Sequence, residues 1–266
     1  MSRSRVRAPD LLEAWPAPHA TAGVVGQEPV PLALWGDASR RSPWASITKL
    51  VTTLAVLVAM EEGTVDLDEP AGPPGSTLRH LLAHASGLAF EGGHVLAAPE
   101  QLRIYSNHGY EVVAALLAER ADMPVGRYIS EAVLDPLGLE STRLEGSAAA
   151  GLVGTLEDLL RLGAELLRPT LVAAETIALA TTVTFPGLAG VLPGIGRFDA
   201  LDWGLGFELR DAKSPHWTGR HNAPTTFGHF GASGSFLWVD REAGLACAAL
   251  SGWPSGAWAL QEWPEV

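Results

Sequence analysis

The chain has 266 residues, 47% of them hydrophobic, enough for one domain with a substantial core and too apolar for a disordered chain. Eighteen basic against 30 acidic residues give a formal charge of −12, which repels nucleic-acid phosphates and argues against binding them. The single cysteine, Cys247, excludes an internal disulfide and, inside the apolar run 245–250, reads as a buried small hydrophobe.

In chain order, Arg3, Arg5 and Arg7 resemble a basic leader, but Pro9, Asp10, Glu13, Pro16 and Pro18 follow at once. No apolar stretch of about 7–15 residues accompanies them, so the expectation is a cytoplasmic protein without a secretory signal. Residues 21–26 and 30–35 predict a hairpin that turns at Gln27-Glu28-Pro29. Residues 46–62 predict a helix that is apolar on every face through Ile47, Leu50, Val51, Leu54 and Leu57, as at the centre of a domain. Thr48, Lys49, Thr52 and Thr53 interrupt it, and Glu61-Glu62 end it short of the roughly 20 residues of a membrane span, with Gly63 as its C-terminal cap. Further helices are predicted at 77–84, 107–121, 124–134, 155–168 and 171–181. The glycine-rich run 186–196 reads as a loop that either lines a cleft or, the preferred reading, connects elements. Strands return at 205–209, 236–239 and 245–250, with a turn at 240–244. Trp253, Trp258 and Trp263 recur every five residues and predict a C-terminal helix packed on the sheet. Strands at both ends of a helical middle imply an α/β (α+β) chain whose sheet is closed by distant segments.

Three local patterns carry chemistry. Sixteen arginines stand against only two lysines, Lys49 and Lys213, and Lys49 follows Ser46 by three residues. Chance predicts about 0.12 such S-x-x-K matches in this composition. On a helix, positions i and i+3 share a face, so hydroxyl and ammonium can meet. A serine hydroxyl needs a neighbour to take its proton, and desolvation suits a lysine to that task by disfavouring its charged form. The alternative is that Ser46 is an N-cap and Lys49 a solvated first-turn residue. The second pattern is Tyr105-Ser106-Asn107, one of three tyrosines two residues from one of two asparagines, for which chance predicts about 0.02 matches. It opens the helix 107–121, where Asn107 can also serve as a cap. The third is Phe227-Gly228-His229-Phe230-Gly231-Ala232; its H-x-G triplet alone is uninformative, with about 0.9 chance matches, and a glycine-rich turn with a surface histidine explains it equally.

In this order the three patterns resemble the serine β-lactamase and penicillin-binding-protein superfamily, on the branch of class C β-lactamases and their esterase and D-aminopeptidase relatives. The segments from Leu81 to Leu88 and from Asp135 to Leu139 are similar to the family as well; residues 141–200 are not. The resemblance implies a mostly antiparallel sheet flanked by helices plus an all-helical lobe: a single domain, 1–266, with a sheet lobe from about 1–62 and 200–266 and a helical lobe from about 63–199. It implies Ser46 as nucleophile of an acyl-enzyme, with Lys49 and Tyr105 sharing the proton traffic, and substrate contacts from Asn107, His229, Gly231 and Ala232. The Ala232 N–H would join that of Ser46 in holding the anionic intermediate. The implied partner is a small-molecule ester, amide or lactam, with no nucleic acid and no membrane.

Phe230 departs from the family pattern, because it replaces a hydroxyl that helps bind the substrate carboxylate. His229 in place of lysine weakens the positive anchor further unless it is protonated. Both favour a neutral or apolar acyl ester or amide over a β-lactam. A second reading is a module of this fold that binds or traps an acyl group without turnover. Other chemistries find no support. G-x-S-x-G does not occur. His80 and His84 have metal spacing without the H-E-x-x-H glutamate and read as core packing and capping. Neither a G-K-[ST] phosphate loop nor a C-x-x-C is present, so no metal and no cofactor is expected.

Overall fold

The computed structural model describes residues 12–266; the basic stretch with Arg3, Arg5 and Arg7 lies outside them. The predicted hairpin forms as β1 (Thr21–Val25) and β2 (Pro31–Trp35), paired antiparallel with Ala22 opposite Trp35. A two-residue strand β3 (Ser42–Pro43) and a 3-10 turn (Ala45–Ile47) lead into α1 (Thr48–Glu61). Gly63 follows α1 as the predicted cap, and the Thr64 N–H closes the end on the Ala59 carbonyl at 2.8 Å. Next come α2 (Leu78–Leu82), β4 (Arg103–Ile104) and α3 (Asn107–Ala121). The predicted helix 124–134 is α4 (Val125–Ile129) running on into a π-turn (Ser130–Leu134). β5 (Arg143–Leu144), β6 (Leu152–Gly154), α5 (Leu156–Leu167) and α6 (Ala174–Ala180) complete the middle of the chain. β7 (Gly190–Leu192) and β8 (Gly196–Phe198) occupy part of the run expected to be loop. The chain ends with β9 (Glu208–Leu209), β10 (Phe227–Gly231), β11 (Ser235–Asp240), β12 (Leu245–Leu250) and α7 (Ala257–Glu262).

The main sheet has the order β2-β1-β12-β11-β10-β9, and each pairing in it is antiparallel. Side chains alternate across its strands, and here both faces are covered. From β11 and β12, Leu237, Val239, Ala246, Ala248 and Leu250 enter the core beneath α1 and α5, while Phe236, Trp238, Cys247 and Ala249 enter an aromatic layer with Trp15, Trp217 and Trp263. α7 brings Trp263 to 5.3 Å from Phe236, as the tryptophan spacing predicts, but Trp253 points into solvent and takes no part. Residues 205–209 are a strand only at their end. Gly206, at φ +76° and pressed against Thr53 of α1, turns the chain first. Among the described residues no helix is long and apolar enough to cross a membrane.

Arg103 ties the loops around the helical middle together. Its guanidinium is buried and donates to the carbonyls of Ala83 (2.6 Å), Leu201 (2.9 Å), Thr184 and Phe185 (both 2.8 Å). Arg103→Met leaves these acceptors unpaired and should lower stability by about 3 kcal/mol or more. Urea unfolding checks this; a loss below about 1 kcal/mol would mean that solvent replaces the guanidinium.

Candidate active site

Ser46 sits in the 3-10 turn just before α1, not inside the first α-helical turn. Two hydroxyls hold that turn against the β10–β11 connection: Ser233 Oγ donates to the Pro43 carbonyl (2.8 Å) and Ser235 Oγ to that of Trp44 (2.9 Å). Gly231 makes the approach feasible, since a Cβ there would lie 2.6 Å from the Trp44 carbonyl oxygen and 2.9 Å from Ala45 Cβ. Ala45 itself adopts φ +48°, a left-handed conformation that is uncommon for a residue with a side chain and concentrates at functional sites.

α1 carries a row of buried polar side chains that bind the segment before β6. Thr48 Oγ1 accepts from the Leu152 N–H (3.0 Å), Thr52 Oγ1 donates to the Ala148 carbonyl (2.7 Å), and Lys49 Nζ donates to that of Ala149 (2.8 Å). Lys49 Nζ also donates to Asn107 Oδ1 at 2.6 Å. The cap of α3 is Ser106, whose Oγ accepts from the Gly109 N–H, so the Asn107 side chain is free to face Lys49. Its amide is oriented by a donor on one side and, through Nδ2, by the Glu91 carboxylate on the other (2.8 Å). Burial pushes the Lys49 amine down from 10.5 to about 7, against the pull of Glu91 and Glu111.

Tyr105 is buried and lines one cavity with Ser46. Burial raises its ionisation above the ordinary phenol range, against a smaller lowering influence of the Ser46 side chain. Its ring lies 4.7 Å from Lys49 Nζ and packs on His84 (4.6 Å), His229 (5.7 Å) and Trp203 (5.9 Å). His229 is buried, not a surface residue of a turn. Burial, with Lys49 nearby, lowers it to about 3. A neutral His229 whose Nδ1 lies 2.7 Å from the Phe230 carbonyl must donate there, leaving Nε2 as an unpaired acceptor.

Ser46, Tyr105, His229, Phe230 and Ala232 line one cavity of about 220 Å3, together with Phe90, Leu192, Pro193, Gly194 and Ser255. Lys49 and Asn107 bond each other and are not among the lining residues of this cavity, whereas Gly231 is spent on the contact between strand and turn. The run 186–196 contributes three of these walls, so it lines the cleft, contrary to the connecting role expected of it. The motif reading leaves out Ala149, Glu91 and Trp203. His80 caps α2 through Thr77, and His84 Nδ1 accepts from the Ser106 N–H at 3.2 Å; both do the capping and packing expected of them.

A family model described as Beta-lactamase matches residues 22–264. The structure of a beta-lactamase from Mycobacterium bovis is 51% identical, with 97% of this chain and 95% of that one covered and a TM-score of 0.94. EstCE1, a hydrolase with promiscuous acyltransferase activity, has the same fold at 17% identity, covering 97% of this chain and 96% of its own, with a TM-score of 0.76. Among curated proteins, the D-alanyl-D-alanine-carboxypeptidase/endopeptidase AmpH of Escherichia coli (strain K12) is 28% identical over 37% of this chain. That match spans 35% of the curated relative's length.

The burial of Lys49 has a consequence for stability. Between about 7 and 10.5 the unfolded chain keeps a proton on Lys49 that the folded chain has released. Stability should therefore rise with pH across that window. Lys49→Met removes this contribution, so the melting temperature of the wild type should gain on that of the variant between pH 7 and 10. A constant difference would show that Lys49 titrates alike in both states.

Proposed function

The chain belongs to the beta-lactamase family, and we propose that it is a hydrolase that forms an acyl-enzyme on Ser46, acting on small neutral esters or amides. The observation that carries this reading is Tyr105, which shares a cavity with Ser46 while its ring lies 4.7 Å from the buried Lys49 amine, lowered to about 7. A neutral amine that donates both its hydrogens, here to Asn107 and Ala149, keeps one lone pair free to accept a proton. In the proposed first step Ser46 Oγ attacks the carbonyl carbon as its proton passes to Lys49. The carbonyl oxygen becomes the oxyanion, held by the N–H groups of Ser46 and Ala232; one such donor contributes about 2.7–4 kcal/mol to transition-state stabilisation. Collapse breaks the bond to the leaving group, which takes a proton from Tyr105, a phenol that stays protonated at neutral pH, and Lys49 resupplies Tyr105. Water then attacks the Ser46 ester, giving the free acid and restoring the hydroxyl.

The polarity of the cavity supports neutral substrates. His229, lowered to about 3, brings no positive charge near neutral pH, and Phe230 brings a ring where a hydroxyl would serve a carboxylate. A second reading, β-lactam hydrolysis, is favoured by the 51% identity to the M. bovis protein described as a beta-lactamase.

Hydrolysis of p-nitrophenyl acetate should be lost in Ser46→Ala and should rise with pH through about 7 in the wild type as Lys49 loses its proton. Wild-type-like rates in Ser46→Ala sink the reading. A chromogenic cephalosporin assayed in parallel weighs the β-lactam alternative. Phe230→Thr should raise the rate of penicillin acylation, and an unchanged or lower rate would contradict the role given to Phe230.

A further inference from the structure

Phe90, Tyr105 and Pro193 each wall two cavities. One is the chamber at Ser46, about 220 Å3. The other, about 420 Å3, lies against the small sheet β4-β7-β8 and is walled further by Leu102, Ile104, Ala189 and Val191. Small-molecule sites typically fall within roughly 300–1,000 Å3. The chamber at Ser46 is below that range on its own, and the annex is inside it. Strand pairing fixes this side of the annex: β4 and β7 run in parallel, Arg103 opposite Gly190. Arg103 is the buried charge on this wall, but its guanidinium is committed to four carbonyls. Arg197 stands exposed at the rim. The remaining surface is apolar, and part of it faces water: Phe90 is 49% exposed, Leu102 40% and Val191 57%. Contiguous exposed apolar surface beside a reactive serine is a mark of a ligand site.

We propose that the annex receives an extended apolar chain of the substrate, reaching from the carbonyl at Ser46 past Phe90 and Tyr105, so that the preferred substrates are esters bearing a medium-length aliphatic chain. The proposal rests on the Ser46 hydrolase reading and adds the substrate class to it. The chain can belong to the acyl or to the alcohol half of the ester; its chemistry is the same in both. Each methylene moved from water to the annex wall should raise kcat/KM by up to about fourfold until the annex is full.

The test is kcat/KM for two series, p-nitrophenyl esters from acetate to decanoate and alkyl acetates from ethyl to octyl. They are measured in the wild type, in Val191→Trp, which fills the annex from an exposed strand position, and in Leu179→Trp, an exposed control outside both cavities. The expected result is a steep rise with length in one series. The long-to-short ratio should fall about tenfold or more in Val191→Trp and stay at its wild-type value in Leu179→Trp. The series that shows the rise identifies the half of the ester that enters. Binding of octanoate and octanol, each against acetate, to Ser46→Ala by calorimetry gives a readout independent of turnover. Tighter binding of one long ligand, weakened by adding Val191→Trp, supports the annex. A flat profile in both series with hydrolysis that still depends on Ser46 overturns the annex alone. Hydrolysis that persists in Ser46→Ala overturns the catalytic reading beneath it, and equal binding of long and short ligands overturns the annex whether or not any ester is turned over.

Discussion

The burial of one amine organises this molecule. Lys49 lies on the central helix with no solvent to stabilise its charge, and an unpaired ammonium in that position costs several kcal/mol even after relaxation. The fold answers in two ways. It supplies two neutral acceptors, Asn107 Oδ1 and the Ala149 carbonyl, and it lets the amine release its proton near pH 7. The acceptors are 58 and 100 residues away in sequence. To reach them, α3 must begin beside α1, and the segment before β6 must lie along it. Thr48 and Thr52 hold that segment from either side of the Lys49 contact, and the Ser147 hydroxyl ties it to Glu111 of α3. Polar residues that interrupt an otherwise apolar helix are thus the bonds that assemble the site.

The serine is positioned by a second, independent set of contacts. Ser233 and Ser235, in the turn and strand after β10, bond the backbone just before Ser46, and Gly231 removes the side chain that would hold strand and turn apart. The glycine-rich sequence around His229 therefore works mainly through backbone proximity. It brings Phe230 and Ala232 to the cavity wall and lets the Ser46 turn sit against the strand. The left-handed Ala45 is held where the strand, the turn and α1 meet, which is the over-determined setting in which such a conformation persists.

What was legible in the sequence follows from how local each signal is. The helix 107–121 was read to its ends, because its apolar run and its first turn lie within one stretch of chain. The hairpin and the strand 245–250 were legible for the same reason. The two-residue strands 42–43, 103–104 and 143–144 carry no periodicity, and they exist because distant partners pair with them. Ala149 could not be found at all, since it contributes a carbonyl, which every residue possesses. The pattern reads His229 equally as a surface histidine of a turn, and it is buried instead, because Tyr105 and Trp203 enclose it from other parts of the chain. Motif spacing identified which side chains meet; it did not give the burial that sets their protonation.

The two lysines make the point sharply. Both are buried. Lys213 Nζ lies 2.8 Å from the carboxylate of Glu208, in a cluster where His216 Nε2 and Trp217 Nε1 reach the other oxygen at 2.9 Å. Burial would raise that carboxyl, yet His216 and Lys213 hold it down at about 2, so the cluster is a closed salt-bridged pin between β9 and the chain that follows. Among the described residues Lys49 has no carboxylate in contact. Glu91 and Glu111 act on it at one remove, behind Asn107 and Ser147, and their pull falls short of the cost of burial. A carboxylate in direct contact would favour the charged amine. Setting the acids one residue further out keeps Lys49 hydrogen-bonded while leaving the amine free to exchange its proton, and that distinction between contact and second neighbour separates a salt-bridged lysine from one lowered to about 7 in the same fold.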